Sequence, residues 1–454
     1  MTEPAGTPFD RADARQAADA AFAVEGAQGA ELVVVGSTTG LTRYANSEVI
    51  QNTVRREVNA YVRVEVDGCV ATASTNQLTP ERVRRAADRA AAAARSSPPD
   101  PDWPGLADPA RVGRPEPLFR WDPDTAEASP AARADSVTKI LDVAGDESAA
   151  GVFETSAHSY AVMNSRGVDC FDAYTRCVAS SLVESGGTGW GEASSFARGH
   201  VDVAQVAQTA LDKAIAGRDP VESAPGTYEV VLEPSAVATI LEYFSYMGLG
   251  AKQVFDKESF LAEKAGEKVG ADSVSVVDDV GHELSVGIGF DFDGAPRTRV
   301  ATIDAGVATG PVTDLRYANK MGLELTGHSS GSATFGPWAA NLVMPAGSEP
   351  RRRMIEGVKR GLLVTRFHYV NILHQPSTLL TGMTRDGVFE IVDGEVGRPV
   401  HNFRFTQSVL DALASVIAVG DDAAGFAPEY GGFGSTVAPS LRIGEFGFTS
   451  TTLH

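Results

Sequence analysis

The segment Asp386-Gly-Val-Phe-Glu-Ile-Val-Asp-Gly394 places a β-branched run between two Asp-Gly pairs. Asp-Gly pairs are typical of tight turns because glycine adopts positive φ freely, whereas β-branched and aromatic residues favour strands. The same half of the chain contains a further Asp-Gly pair, Asp293-Gly294, and a further β-branched run, Val274-Ser-Val-Val277. We therefore predict that the second half is mainly antiparallel sheet.

The second half also contains two segments with a helical pattern, residues 235–247 and residues 351–363. It is separated from the first half by Gly217-Arg-Asp-Pro-Val-Glu-Ser-Ala-Pro-Gly226, which is polar and lacks periodicity. This linker predicts two domains, residues 1–220 and residues 226–454.

Helices and strands alternate in the first half. Glu31-Leu-Val-Val-Val-Gly36 is a buried strand by pattern, and Asp67-Gly68 predicts a hairpin turn. Thr79-Pro80-Glu81 predicts a helix start, with an N-cap oxygen, a proline at the first helical position and an acid facing the positive helix end. The predicted fold class is α+β: an N-terminal α/β domain followed by a mainly antiparallel β-rich C-terminal domain with inserted helices.

Composition narrows the class of function. The chain has 454 residues and a formal net charge of −20, which argues against nucleic-acid binding and against adsorption to anionic lipid. No stretch approaches the roughly 20 apolar residues that span a bilayer. The start of the sequence lacks the features of a secretion signal, and three cysteines are too few for a disulfide framework. We therefore predict a cytoplasmic protein.

Several segments resemble the TldD/PmbA family of peptidase-complex subunits. In the first half these are Arg43-Tyr-Ala-Asn-Ser-Glu-Val-Ile-Gln-Asn52, Ala73-Ser-Thr-Asn76 and Asn164-Ser-Arg-Gly-Val168. In the second half the family's pattern is followed in order by Phe290-Asp-Phe-Asp-Gly-Ala-Pro296, Ile303-Asp-Ala-Gly306, Thr326-Gly-His328, Gly387-Val-Phe-Glu-Ile-Val-Asp-Gly-Glu-Val396 and Phe448-Thr-Ser-Thr-Thr452. The resemblance extends over roughly residues 30–452.

This resemblance implies a cytoplasmic zinc metalloprotease built from two related subunits, TldD and TldE (also called PmbA). The complex is expected to enclose a chamber and to act on unfolded peptides or on precursors of peptide natural products. In the family, the TldD subunit carries His-Glu-x-x-x-His on a helix and a cysteine near its C-terminus, which supply three zinc ligands and a glutamate as general base.

The flanking sequence places that motif in Ala236-Val-Ala-Thr-Ile-Leu-Glu-Tyr-Phe-Ser-Tyr-Met247. Leu241 then stands at the first histidine, Glu242 at the glutamate and Tyr246 at the second histidine. Leucine has no donor atom, and a phenol is a poor zinc ligand. The region matching the cysteine, Gly425-Phe-Ala-Pro-Glu-Tyr430, has no thiol. We therefore predict no catalytic residue, no metal ligand and no cofactor in this chain, with zinc in a TldD-like partner.

Other candidate sites have simpler structural explanations. His282-Glu283 begins like a zinc-protease motif, but no histidine follows at the required spacing. His368 and His374 are about 20 Å apart if the strand is extended, although a loop would bring them together, and we expect them to have structural or peptide-lining roles. Cys170 and Cys177 are expected to be buried apolar residues.

Three further segments are expected to have structural roles. Ser329-Ser-Gly-Ser-Ala-Thr-Phe-Gly336 lacks the lysine of a phosphate-binding loop and is expected to be a flexible loop over the chamber. Residues 429–433 are expected to form a turn. Arg351-Arg352-Arg353 is expected to be a solvated helix face, with an ion pair across an interface left open.

The sequence thus predicts a non-catalytic, TldE-like subunit that forms a heterodimer with a zinc-bearing TldD-like subunit and contacts the peptide substrate. The alternative is a stand-alone homodimeric protein of the same fold that binds peptides or small molecules without hydrolysis. A hydrolase that uses His368 or His374 ranks last.

Overall fold

A computed structural model describes residues 3–429 and 432–452 of the chain and confirms the α+β class. The first half contains twelve elements within the described residues: α1 (Arg11–Phe22), β1 (Gly29–Ala45), β2 (Glu48–Val66), β3 (Cys69–Thr75), α2 (Pro80–Ser96), α3 (Pro109–Val112), α4 (Pro123–Ala126), α5 (Pro130–Ala144), β4 (Ser148–Asn164), β5 (Asp169–Glu184), β6 (Thr188–Ser195) and α6 (Val203–Ala216). A short 3-10 turn, Arg198–His200, precedes α6.

The six strands of the first half form one antiparallel sheet in the order β3-β2-β1-β4-β5-β6. The predicted turn at Asp67-Gly68 joins β2 to β3, and both residues have positive φ (49° and 74°). The hydroxyl of Thr79 accepts a hydrogen bond from the amide of Arg82 at the start of α2, as the capping pattern predicted.

The two faces of this sheet have different roles. Because side chains alternate along a strand, Leu32 and Val34 of β1 point to one face, where they are fully buried against α1 and α2. Helices α5 and α6 cover the other end of the same face. The opposite face, which carries Val33 and Val35, is turned towards the second half of the chain.

The second half adds the remaining elements of the described residues: β7 (Gly226–Leu232), α7 (Pro234–Tyr246), α8 (Ala251–Phe255), α9 (Leu261–Lys264), β8 (Val276–Asp278), β9 (Val300–Asp304), β10 (Val307–Ala308), α10 (Leu315–Met321), β11 (Leu342–Val343), α11 (Arg351–Glu356), β12 (Arg360–His374), β13 (Leu379–Val392), β14 (Glu395–Pro399), β15 (Phe403–Ser408), α12 (Val409–Ala414), β16 (Val416–Val419), β17 (Ala424–Phe426), β18 (Thr436–Ala438) and β19 (Leu441–Thr451).

Five of these strands pair in a closed ring, β7-β12-β13-β15-β19 and back to β7. Aromatic side chains fill the ring: Phe367 packs against Phe405 and Phe446 at centroid distances of 4.5 and 5.6 Å. The shorter strands form a second sheet in the order β10-β9-β8-β11-β18-β17. Helix α7 contacts both sheets, through β12 and β18, and is therefore held in the core.

Two predictions about local structure are wrong. The helix expected over residues 351–363 ends at Glu356, because Gly357 caps it and the following apolar residues, Gly361 to Val364, pair with β7 as part of β12. The pair Asp386-Gly387 is not a turn. It lies inside β13, where both residues have positive φ and the register with β12 shifts, as in a β-bulge. Asp393-Gly394 does form the predicted turn between β13 and β14.

The predicted linker falls between α6 and β7. The division into domains 1–220 and 226–454 stays a prediction. No helix among the described residues is long and apolar enough to cross a membrane.

Candidate functional site

Helix α7 begins at Pro234, directly after β7, and carries the three residues that the sequence places at the zinc motif. Leu241 is completely buried in the hydrophobic core, where it packs with the residues of the ring and of the second sheet. Glu242 is 9% exposed and points away from that core to the loop that follows β17.

The carboxylate of Glu242 holds this loop. Its two oxygens lie 3.1 and 3.0 Å from the backbone nitrogen of Glu429, which donates to them. The hydroxyl of Tyr246, one helical turn further along α7, donates to the same carboxylate at 3.3 Å. These charge-assisted bonds anchor the loop to α7 at Glu429.

Tyr246 belongs to an aromatic contact. Its ring stacks on Trp338 with a centroid distance of 5.7 Å, and the indole nitrogen of Trp338 donates to Ser245 at 3.2 Å. Burial raises the pKa of the Tyr246 hydroxyl well above its usual value, and the negative charge of Glu242 raises it further. The phenolate form that a metal ion would require is thus strongly disfavoured.

The residues at this place do not fit zinc. A catalytic zinc needs three donors from imidazole, thiolate or carboxylate, and the motif positions offer one carboxylate that already binds a backbone amide. Among residues 3–429 and 432–452, no group of three or more histidine, cysteine, aspartate or glutamate side chains is placed to hold a metal ion. Tyr430, the last residue of the region that matches the cysteine, lies outside the described residues.

A cleft opens between the first sheet and the loop that Glu242 holds. Its larger part, of about 680 Å³, is lined by the face of β1, β2, β4 and β5 that lacks helices. A smaller part, of about 340 Å³, adjoins it and reaches Glu242. The two parts share the wall formed by Val152, Val178 and residues 427–429.

One wall of the larger part is a stack of aromatic side chains from neighbouring strands. The ring of Tyr174 stacks on His158 at 4.7 Å and on Tyr160 at 5.7 Å, and Phe433 packs on Tyr160 at 5.6 Å. Burial lowers the pKa of His158 to about 3, with a further contribution from Arg176, so the imidazole is neutral at physiological pH. Sequence analysis missed this wall, although the two-residue spacing of His158 and Tyr160 places both on one face of β4.

The smaller part contains a cation held over an aromatic ring. The guanidinium carbon of Arg366 lies 3.7 Å from the ring centroid of Trp190, and Asp386, in the β-bulge of β13, accepts two hydrogen bonds from the same guanidinium. Glu192 lines this part too and accepts a hydrogen bond from Ser235 at the start of α7. Sequence analysis missed these residues because they come from distant strands.

Within residues 3–429 and 432–452, the other histidines and cysteines that the sequence singled out are not assembled into a metal site. His282 accepts a bond from the amide of Leu284 in a loop, and His374 contacts Ser377 at the β12–β13 turn. His368 lies in the middle of β12. Cys170 and Cys177 are buried, and burial raises the pKa of each thiol to about 12, which leaves them protonated.

The remaining segments have structural contacts. In residues 329–336, the amide of Ser329 donates to Asp291 at 2.8 Å. Within residues 429–433, Tyr430 and Gly431 lie outside the described residues. Arg351 forms ion pairs with Glu233 and Asp422, whereas Arg352 and Arg353 are exposed and pair with Glu356 of the same helix.

Comparison with known sequences identifies two regions. Residues 30–94 match PmbA/TldA metallopeptidase domain 1, and residues 225–450 match the PmbA/TldA metallopeptidase C-terminal domain. A metalloprotease from Methanothermobacter thermautotrophicus is 22% identical over 199 residues, which is 43% of this chain and 43% of that protein. A metalloprotease from Methanocaldococcus jannaschii is 22% identical over 200 residues. The matches thus span less than half of the length of these curated relatives.

Solved structures share the fold over nearly the whole chain. TldE from Thermococcus kodakarensis superposes with a TM-score of 0.82 at 21% identity, covering 93% of this chain and 97% of that one. A protein from Bacteroides thetaiotaomicron, described as a candidate modulator of DNA gyrase, gives a TM-score of 0.80 at 22% identity, covering 97% of this chain and 98% of that one. At these identities the likeness establishes the fold alone.

Proposed function

Because this chain belongs to the TldD/PmbA family, we propose that it is the non-catalytic, TldE-like subunit of a heterodimeric zinc metalloprotease that acts on unfolded peptides or peptide precursors. Its partner is a TldD-like subunit that carries the zinc. The chain completes the substrate chamber and holds the partner in working geometry.

The observation that carries this proposal is which side chains occupy the three motif positions of α7. Leu241 packs in the hydrophobic core, and Tyr246 is a protonated phenol stacked on Trp338. The helix therefore carries no imidazole at either histidine position of the motif. Glu242 keeps a carboxylate at the position of the general base, yet it is committed to the amide of Glu429. A general base must reach a metal-bound water, and among the described residues no group of three or more zinc donors is placed to hold a metal ion.

The cleft supports contact with a peptide. It combines apolar side chains such as Val152 and Val178 with the charged side chains of Arg176 and Glu192, as ligand sites do.

The β12–β13 hairpin supports contact with a second subunit. Near its end Tyr369 is 68% exposed and Leu373 is 54% exposed, beside Ile372. Apolar side chains grouped in this way mark interaction surfaces more often than isolated ones do.

Mixing this chain with a TldD-like subunit from the same genome tests the proposal. We expect a stable heterodimer that contains one zinc ion and cleaves an unstructured peptide, with no cleavage by this chain alone. If this chain forms a homodimer that binds peptide and does not bind the TldD-like subunit, the result would instead favour the stand-alone binding protein.

A further inference from the structure

The face of the first sheet that lacks helices carries apolar side chains that are not fully covered. Val33 and Val35 of β1 are partly exposed, as is Phe292 of the second half. Tyr61 of β2 is 44% exposed. Val33 and Tyr61 are cross-strand partners, so their side chains lie next to each other on this face. Apolar side chains that are grouped and stay partly open to solvent mark interaction or ligand sites.

These four side chains surround a cavity of about 290 Å³. Val33, Val35 and Tyr61 belong to the sheet and form its floor. Phe292 and residues 330–332, which come from the second half of the chain, form the opposite side. Pockets for drug-sized ligands begin at about 300 Å³, so a cavity of this volume suits a single large side chain.

Ion pairs close one end of the cavity. Nη1 of Arg63 lies 3.0 Å from Oε1 of Glu31 and 3.2 Å from Oδ1 of Asp293. Among the described residues that line the cavity, Arg63 is the only basic side chain, and because it is already paired an acidic occupant finds no free cation. A lysine ammonium would lose its hydration against Val35 and Phe292. The lining therefore favours an uncharged, apolar occupant.

The cavity is continuous with the cleft. Val35 and Phe292 line both the cavity and the larger part of the cleft. Further along β1, Ser37 and Thr39 line that larger part, because alternate residues of a strand point to the same face. The distance from Val35 to Thr39 along an extended strand is about 13 Å, which four residues of an extended peptide also cover. A peptide that lies in the cleft along β1 can thus place one of its side chains in the cavity.

From this arrangement we infer that the cavity is a specificity site for one large apolar side chain, such as leucine or phenylalanine, of the peptide that occupies the cleft. The inference rests on the part of the proposed function in which the cleft holds a peptide. It adds a substrate class, namely unfolded peptides that carry an apolar residue about four residues from the segment beside Thr39. Tyr61 and Val35 are then specificity-determining residues.

Binding of labelled peptides to the full chain tests the inference. The probes are fluorescein-labelled, unstructured glycine–serine peptides that carry a single central phenylalanine, a single central lysine or neither. Fluorescence anisotropy gives the Kd of each peptide. We expect the phenylalanine peptide to bind roughly ten-fold or more tighter than the other two, which is the effect of burying one apolar side chain.

Two variants change the cavity in opposite directions. Tyr61→Ser removes part of the floor, and Thr72→Phe, at an exposed residue that lines the cavity, fills it. Each should reduce the preference for the phenylalanine peptide to less than about three-fold. The matched controls are Phe255→Ser, at a side chain 45% exposed on α8, and Thr449→Phe, at an exposed position of β19. Neither control residue lines the cavity, and both variants should keep the full preference.

Loss of the preference in both cavity variants, with its retention in both controls, supports the inference. Equal affinity for the three peptides, tighter binding of the lysine peptide, or no peptide binding at all overturns it. A preference that the isolated chain shows and the complex with the TldD-like subunit loses also overturns it, because the second subunit would then cover the cavity. Failure to form that complex contradicts the proposed heterodimer instead, since the anisotropy measurement needs this chain alone.

Discussion

The backbone amide of Glu429 lies 3.0 and 3.1 Å from the two carboxylate oxygens of Glu242, across 187 positions of sequence. The residue that the resemblance places at the family's general base thus binds a loop of its own chain. This loop closes the wall between the two parts of the cleft.

Replacing Glu242 with glutamine should loosen this loop. Glutamine offers one acceptor oxygen and no charge, so the charge-assisted bonds to the amide of Glu429 weaken by about 1–2 kcal/mol. We expect faster hydrogen exchange at the Glu429 amide, with Glu263→Gln, on the exposed surface of α9, as the control. Unchanged exchange would show that the carboxylate does not hold the loop.

Leu241 should behave as a core residue. Leu241→Ala removes a fully buried side chain from the largest hydrophobic cluster and should lower the free energy of unfolding by about 2–5 kcal/mol. Leu323→Ala, at a position 39% exposed, should cost much less. Urea unfolding measures both. Equal costs would contradict the assignment of Leu241 to the core.

The buried carboxyl of Asp291 should make the free energy of unfolding fall as pH rises. Burial raises the pKa of its carboxyl to about 8, with a further contribution from the charge of Asp293. The folded state then holds a proton that the unfolded chain has lost above pH 4. This stabilisation is complete below that pH and is lost as pH rises through 8, by at most about 1.4 kcal/mol per pH unit.

The measurement compares the wild type with Asp291→Asn by urea unfolding between pH 5 and pH 8.5. Buried histidines, His158 and His328, have lowered pKa values and act in the opposite direction below pH 6.5, so the difference between the two proteins is the relevant quantity. We expect the stability advantage of the wild type to shrink as pH rises. The exposed control Asp135→Asn should show no trend, and a difference that is constant with pH would refute the prediction.

Replacing Arg366 with lysine should destabilise the protein. Its planar guanidinium stacks on Trp190 and forms two bonds with Asp386, and an ammonium group reproduces neither arrangement. Arg366→Lys should destabilise the protein by about 1–3 kcal/mol. Arg352→Lys, at an 81% exposed side chain, should have no measurable effect on thermal unfolding. Similar melting temperatures for the two variants would argue against the stacked pair.

Local rules predicted much of this fold. The N-cap at Thr79 and the turns at Asp67-Gly68 and Asp393-Gly394 are set by residues next to each other in sequence, and all three are present. Asp386-Gly387 has the same composition as those turns, yet it forms a bulge inside β13 because β12 pairs with the strand on both sides of it. Residues 360–363 are likewise strand because β7 offers a pairing edge, which no local pattern reveals.

The candidate site was predicted less completely. The resemblance assigns Leu241, Glu242 and Tyr246 to the motif, and this assignment stays a prediction. The apolar pattern of α7 indicated that Leu241 is buried, and it is. The binding of Glu242 to Glu429 depends on how the β17–β18 loop returns to α7, which is a matter of tertiary structure. The stack of Trp190 and Arg366 joins two halves of the chain and had no local signal.

The most direct test of the central claim is the zinc content of this chain, stripped with a chelator and reloaded with zinc, measured alone and in complex with a TldD-like subunit. We expect no bound zinc in this chain alone and one zinc ion per heterodimer, with peptide cleavage by the heterodimer only. One zinc ion per chain together with peptide cleavage by this chain alone would contradict it.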